Sequence, residues 1–158
     1  MSEFVSLIEE DNRPVRPSSS ETGSKGESLA AEYLTGKGYR VVMANFTAPI
    51  GRNNNGGQVK GEIDIVALDG DVLCFVEVKT RRSNEFAGPL ANLDLRKQRV
   101  VTRTARVYRR IFAIRDTKHR FDVVTVLDAG HSEPVIELFK GFWTEAKFKK
   151  RSWADEFA

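Results

Sequence analysis

Hydrophobic and polar positions alternate in a way that predicts a mixed α/β chain. Ser24-Lys25-Gly26-Glu27 has the spacing of a capping box, which predicts a helix from Ser24 to about Gly36 or Gly38. Glu27 shares a face of that helix with Ala31 and Leu34. Tyr39 to Asn45 reads as a strand, whereas residues 46–60 (FTAPIGRNNNGGQVK) are rich in Pro, Gly and Asn and predict a long mobile loop. Ile63, Ile65 and Ala67 then alternate with Asp64 and Val66. Asp69-Gly70 supplies a two-residue turn, and Val72 to Lys79 returns as the second arm of a hairpin. In that arm Cys74, Val76 and Val78 form the expected buried face.

A second helix runs from about Leu93 to Phe112, with Asn92 or Asp94 as its cap and Val101, Ala105, Tyr108 and Phe112 as its buried stripe. Arg120 to Leu127 and Val135 to Phe139 complete the strands, and the tail from Thr144 is an amphipathic helix or frayed. The order is αβββαββα. Pro14, Pro17 and the run Ser18-Ser19-Ser20 mark residues 1–20 as a disordered leader. Residues 21–140 then form one domain, and 141–158 a basic and aromatic tail.

Composition agrees with one domain, since 158 residues at 41% hydrophobic and 30% charged supply one core and not two. The lone Cys74 has no disulfide partner and no companions for a thiolate zinc site, which fits a reducing, cytoplasmic setting. No apolar run approaches a membrane span, and the acidic start MSEFVSLIEEDNR is unlike a signal peptide. Charge is unevenly spread. Lys79 to Arg120 holds 13 Lys or Arg against Glu85, Asp94 and Asp116, a local +10 in a chain whose total is +3, which leaves −7 elsewhere. Such asymmetry suits a polyanionic partner, although charged helix faces are often simply solvated.

The candidate chemistry lies in the hairpin. Glu77 and Lys79 share a strand face, and the Asp69-Gly70 turn would set Asp64 opposite Phe75 with Glu77 as its diagonal neighbour, so both carboxylates share that face. Two converging carboxylates suit Mg²⁺ or Mn²⁺ rather than zinc. Lys79 beside them could orient the attacking water and offset charge on a phosphorane-like transition state. The plain alternative is a Glu77–Lys79 charge pair on a solvated strand face.

Residues 61–82 (GEIDIVALDGDVLCFVEVKTRR) resemble the signature hairpin of the bacterial YraN family, itself similar to archaeal Holliday-junction resolvases within the PD-(D/E)xK nuclease superfamily. The likeness extends upstream through Gly26-Glu27, Ala30-Ala31, Tyr33-Leu34 and Gly38-Tyr39 to Asn45. Downstream it continues through Lys97, Ala105, Tyr108 and Arg120-Phe121-Asp122-Val123-Val124. The resemblance implies a three-layer α/β/α restriction-endonuclease-like fold around a central mixed β-sheet. It also implies Asp64 and Glu77 as metal-binding acids, Lys79 as catalytic lysine and Glu27 as an auxiliary acid from the first helix. Two departures stand out. Ile63 occupies the place of the superfamily's Pro, and the 45–61 segment is longer than the family's, with Arg52 or Lys60 standing in for an Arg that normally follows the Asn closely.

Lys97, in the first turn of the second helix and about 40° from its buried stripe, can approach a phosphate next to Glu77. Arg96, Arg99, Arg103, Arg106 and Arg110 form a stripe on the opposite side, read as a solvated face or a distal phosphate contact. Arg81 and Arg82, with Lys60 and Arg52, are the candidate nucleic-acid contacts nearer the acids. His119 and His131 lack partners at ligand spacing. Asp122 either turns inward to support a basic residue or lies at a sheet edge. Trp143, Phe148, Trp153 and Phe157 interleave with Lys147, Lys149, Lys150 and Arg151, a mixture able to stack on bases or cover a partner, although packing back on the domain is the favoured reading.

The expectation is a metal-dependent endonuclease hydrolysing DNA, on branched or damaged forms. The rivals are an RNA nuclease, a nucleic-acid-binding module with an inactive site, and a scaffold. Oligomeric state is left open, a homodimer being compatible.

Overall fold

The computed structural model describes residues 19–82 and 93–149. Its elements are α1 (Ser19–Gly36), β1 (Arg40–Arg52), β2 (Gln58–Asp69), β3 (Val72–Arg81), α2 (Leu95–Ile111), β4 (His119–Leu127) and β5 (Val135–Trp143), followed by a 3-10 turn over Glu145–Phe148. The five strands form one sheet in the order β1-β2-β3-β4-β5. Only β3 and β4 are parallel, joined across α2, and the other pairs are antiparallel.

Each face of the sheet carries a helix. Val101, Ala105 and Tyr108 of α2 pack with Phe75, Phe121 and Trp143 on one side. Ala30 and Leu34 of α1 pack with Ile65, Cys74, Val76 and Val124 on the other. Because both faces of β3 are covered, it reads as a nearly unbroken apolar run, and Leu73 and Phe75 are as buried as Cys74 and Val76. The result is the three-layer α/β/α architecture with a mixed sheet that the restriction-endonuclease-like reading anticipated.

The second helix starts where expected. Asp94 caps it by accepting the Lys97 N–H at 2.8 Å, and the arginine stripe lies exposed opposite the buried one. The first helix begins five residues earlier than the capping box suggests, so Ser24 lies inside it. Packing on the sheet along Gly26, Ala30 and Leu34 sustains the helix beyond its local cap signal. That line is the buried one, with Glu27 half-buried at its margin. A Cβ at Gly26 would stand 2.0 Å from Thr80 Oγ1, so glycine is what lets α1 touch the end of β3. Ser19 and Ser20, assigned to the leader, are helical; residues 1–18 and 150–158, and with them Trp153, Phe157 and Asn92, lie outside the described residues.

Residues 46–60 are not a long loop. They form the distal half of a second hairpin, in which β1 and β2 remain paired as far as Arg52 and Gln58. Phe46, Ala48 and Ile50 turn inward while Thr47, Pro49 and Gly51 are exposed, a strand period that Pro and Gly obscure in the sequence. Pro49 is tolerated because β1 is the sheet's edge, where a missing N–H breaks no ladder.

The β2–β3 turn also differs. Asp69 pairs with Val72 and Leu68 with Leu73, so the loop is Gly70-Asp71, with Gly70 at φ +60°. A glycine of positive φ at the first loop position suits a hairpin turn and explains the displacement from Asp69-Gly70. The C-terminal end also departs from the tail expected over 141–158. β5 continues to Trp143, whose ring stacks on Phe121 at 4.9 Å, and the expected tail helix is a four-residue 3-10 turn.

Candidate active site

The site lies where β2 and β3 separate. Their ladder ends at Ile65 and Val76, beyond which β2 stays with β1 and β3 stays with β4. At the fork Asp64 replaces the missing backbone partner: its Oδ2 accepts the Val78 N–H at 2.8 Å. Continued by one step, the register sets Asp64 directly across from Glu77, not diagonal to it. The turn correction moves the pairing by two positions, which preserves the face on which each side chain lies.

Both acids are buried, Asp64 at 8% exposure and Glu77 at 3%. Glu77 Oε1 stands 3.6 Å from Lys97 Nζ, whereas Glu77 Oε2 is buried and hydrogen-bonds to nothing among the described residues. Burial pushes the Glu77 carboxyl above its ordinary range, the Asp64 charge adds to this, and Lys97 and Lys79 partly offset it. Lys79 lines a groove with Glu27, Asp64, Glu77 and Arg81.

Two further acids converge there. Glu27, Glu62 and Asp64 each offer a carboxylate oxygen within 4.8 Å of the others. Burial pushes the Glu27 carboxyl up to about 7, with Asp64 and then Glu62 contributing. Glu62 is raised by burial and then by Asp64. For Lys97, burial works against the charged form, but Glu77, Asp64 and Glu62 together outweigh it and raise the ammonium's pKa. Sequence reasoning passed over Glu62. The available signal was its place two residues before Asp64 on the same strand. These carboxylates, with an unpartnered buried oxygen among them, are the donors that a hard divalent cation takes.

The other candidates fall elsewhere. Lys60 is exposed on β2 opposite Pro49, and the Arg52 guanidinium donates to the Gly56 carbonyl at 2.9 Å, pinning the hairpin tip; neither lines the groove. Arg82 is exposed just past β3, bordering a separate hollow with Lys25 and Asp128. His119 Nε2 stands 3.3 Å from Glu145 Oε2, and His131 is exposed. Asp122 is wholly buried and accepts from Arg120 Nε at 2.7 Å, the Tyr39 hydroxyl at 3.1 Å and the Gly141 N–H at 2.9 Å, the inward, supporting arrangement.

The profile of the uncharacterised protein family UPF0102 matches residues 26–126. The chain belongs to this family. It is 38% identical over 129 residues to a UPF0102 protein of Chlorobium limicola, covering 78% of this chain and 92% of that one. A UPF0102 protein of Chlorobium chlorochromatii is 40% identical over 134 residues, covering 81% and 95%. One of Paenarthrobacter aurescens is 38% identical over 119 residues, covering 75% and 90%. Among solved structures the chain is similar to SSO0001 at 15% identity and a TM-score of 0.39, over 92% of this chain and 60% of that chain. UPF0102 is the YraN-like family anticipated from the 61–82 hairpin. The segment matched to UPF0102 contains every residue of the groove except Gly23. No helix among the described residues is long and apolar enough to cross a membrane.

Proposed function

We propose that this UPF0102 protein is a divalent-metal-dependent endonuclease that hydrolyses phosphodiester bonds of DNA. The observation that carries the reading is the buried, unpartnered Oε2 of Glu77, set beside Asp64 in a groove that also holds Lys79. A buried oxygen without a donor is costly, and a cation or a proton relieves it. Asp64 and Glu77 would hold Mg²⁺ or Mn²⁺, and Glu27 and Glu62, each with a carboxylate oxygen within 4.8 Å of one of Asp64, would add to the site's negative charge. Such an ion supplies a Lewis acid for the phosphate and lowers the pKa of an attacking water.

The chain's own residues account for the rest. Lys79 orients the water and offsets the negative charge that builds on the phosphoryl oxygens. Lys97 counters the charge of Glu77, favouring its ionised form. The attacking water gives up a proton to solvent as its oxygen bonds to phosphorus, the bond from phosphorus to one ester oxygen breaks, and the leaving oxygen takes a proton from solvent or a neighbouring acid. The half-buried Glu27, raised to about 7, is suited to that exchange near neutral pH. The sequence resemblance to PD-(D/E)xK nucleases and the three-layer fold both favour this chemistry, and the basic Lys79 to Arg120 segment favours a nucleic-acid substrate.

The test is a cleavage panel: linear, flapped, four-way and single-stranded DNA with structured RNA, each in Mg²⁺, Mn²⁺ or EDTA. Metal-dependent cutting of a DNA form is expected. Cutting of RNA alone would reassign the substrate, and cutting undiminished in EDTA or by Asp64→Asn would remove the mechanism.

A further inference from the structure

The arginine stripe of α2 is exposed, yet the surface around it is shaped. Arg99, Arg103, Arg106, Lys147 and Lys149 line a groove around Phe148, between α2 and the 3-10 turn. A second groove continues from it along the other flank of the helix, sharing Arg103 and Arg106 and adding Arg110 with Pro49 and Ile50 of β1. No acid lines either one among the described residues.

Several of these cations are held in place. Arg103 donates to the Ile50 carbonyl, and Arg106 is fixed by Glu145 at 3.1 Å. Lys147 donates to Gln98 Oε1 at 3.0 Å, and the Arg99 and Lys147 cations stand 5.6 and 5.7 Å from the Phe148 ring centre. A trough of fixed cations costs less to order on binding than a set of free side chains. From Arg99 to Arg110 the helix rises about 16 Å, long enough to meet more than one phosphate of a single strand.

We propose that this trough is a second nucleic-acid surface, which binds the backbone of a single strand outside the carboxylate groove and independently of metal. Cations interleaved with an aromatic ring in a concave track are what single-strand grooves use, whereas an anionic membrane would need a flat or convex face. The proposal shares the partner class of the proposed function but not its requirement for turnover.

The experiment measures anisotropy of a labelled DNA strand of about 20 nucleotides in EDTA across a salt series, for the full chain. It compares wild type, Arg99→Glu/Arg110→Glu and Asp64→Asn/Glu77→Gln. The acid variant should bind no more weakly than wild type, since the trough lies outside the carboxylate groove. The charge reversal should bind at least about tenfold more weakly, with a salt slope shallower by one or more. Arg99→Gln/Lys147→Gln, a milder change checked for an unaltered melting temperature, should show a smaller loss in the same direction. Unchanged affinity and slope in the charge reversal would overturn the trough even if metal-dependent cleavage persists. Binding to phosphatidylserine vesicles with none to the oligonucleotide would overturn it in favour of a membrane surface. If strand binding behaves as expected but nothing is ever cut, only the nuclease reading falls.

Discussion

The Lys97 ammonium stands 3.6 Å from Glu77 Oε1, joining the first turn of α2 to the end of β3. This contact matters only while Glu77 is ionised, and Glu77 is held toward its protonated form. In the metal-free protein Lys97→Met should therefore destabilise less at about pH 5.5, where the lysine still faces Asp64 and Glu62, than at about pH 8.5. The half-exposed lysine limits the high-pH effect to about 1 kcal/mol. Urea unfolding of both proteins at the two pH values measures it; an equal loss at both would mean that Lys97 acts by packing alone.

Stability without metal should fall as pH rises. Glu27 titrates near 7 in the folded chain against an ordinary 4.5, and Glu62 and Glu77 move in the same direction. A raised folded pKa contributes stability that is complete below the unfolded value and lost as pH climbs through the folded one. The window is thus about pH 4.5 to 8. Asp69, Asp128 and Glu145 are shifted the other way, and their contribution, already present above about pH 5, does not oppose the trend; His119, lowered by burial, does oppose it up to about pH 6.5, one group against three acids. Melting temperatures in EDTA across this range should decline, Glu27→Gln should flatten the slope, and Mn²⁺ should restore stability most at the alkaline end. A melting temperature rising from pH 5 to 8 would contradict the site's electrostatics.

Replacing Asp64 and Glu77 by Asn and Gln should abolish calorimetric Mn²⁺ binding while removing the repulsion that strains the metal-free fork. Identical titrations for this variant and wild type would place any bound ion elsewhere.

Lys79→Met should slow single-turnover cleavage by about 10² or more, on the order of 3 kcal/mol, while DNA binding in Ca²⁺ is little changed. Cutting at the wild-type rate would make Lys79 a counter-charge only.

Gly26→Ala should destabilise by about 1–3 kcal/mol, because the added methyl meets Thr80 Oγ1 at 2.0 Å. Thr80→Ala in the same chain should recover part of the loss. A double variant no better than the single one would show that the two positions do not collide.

The elements legible in the sequence were those with an unmixed period. The buried stripe of α2 stood apart from its arginines, and β3 was apolar enough to be read as a strand. The distal half of the β1–β2 hairpin was hidden because its inward Phe46, Ala48 and Ile50 alternate with Pro49 and Gly51, residues that usually end strands. A turn misplaced by one residue still left Asp64 and Glu77 on a shared face, since the pairing changed by an even number. Glu62 escaped notice because nothing local distinguishes an exposed strand glutamate from one drawn toward a fork by the partner strand's departure.

Asp64 closes the end of the β2–β3 ladder by accepting the Val78 N–H, while Glu77 Oε2 bonds to nothing among the described residues. The two acids would therefore age differently in a lineage that abandoned catalysis. An acceptor at position 64 would persist to keep the strands stitched, whereas position 77 would be held acidic only by its ion pair with Lys97. Among relatives, an acceptor at the first position is expected wherever the fork is kept; under the proposed nuclease reading, a glutamate at the second is expected only where the metal is still used or the Lys97 partner is kept.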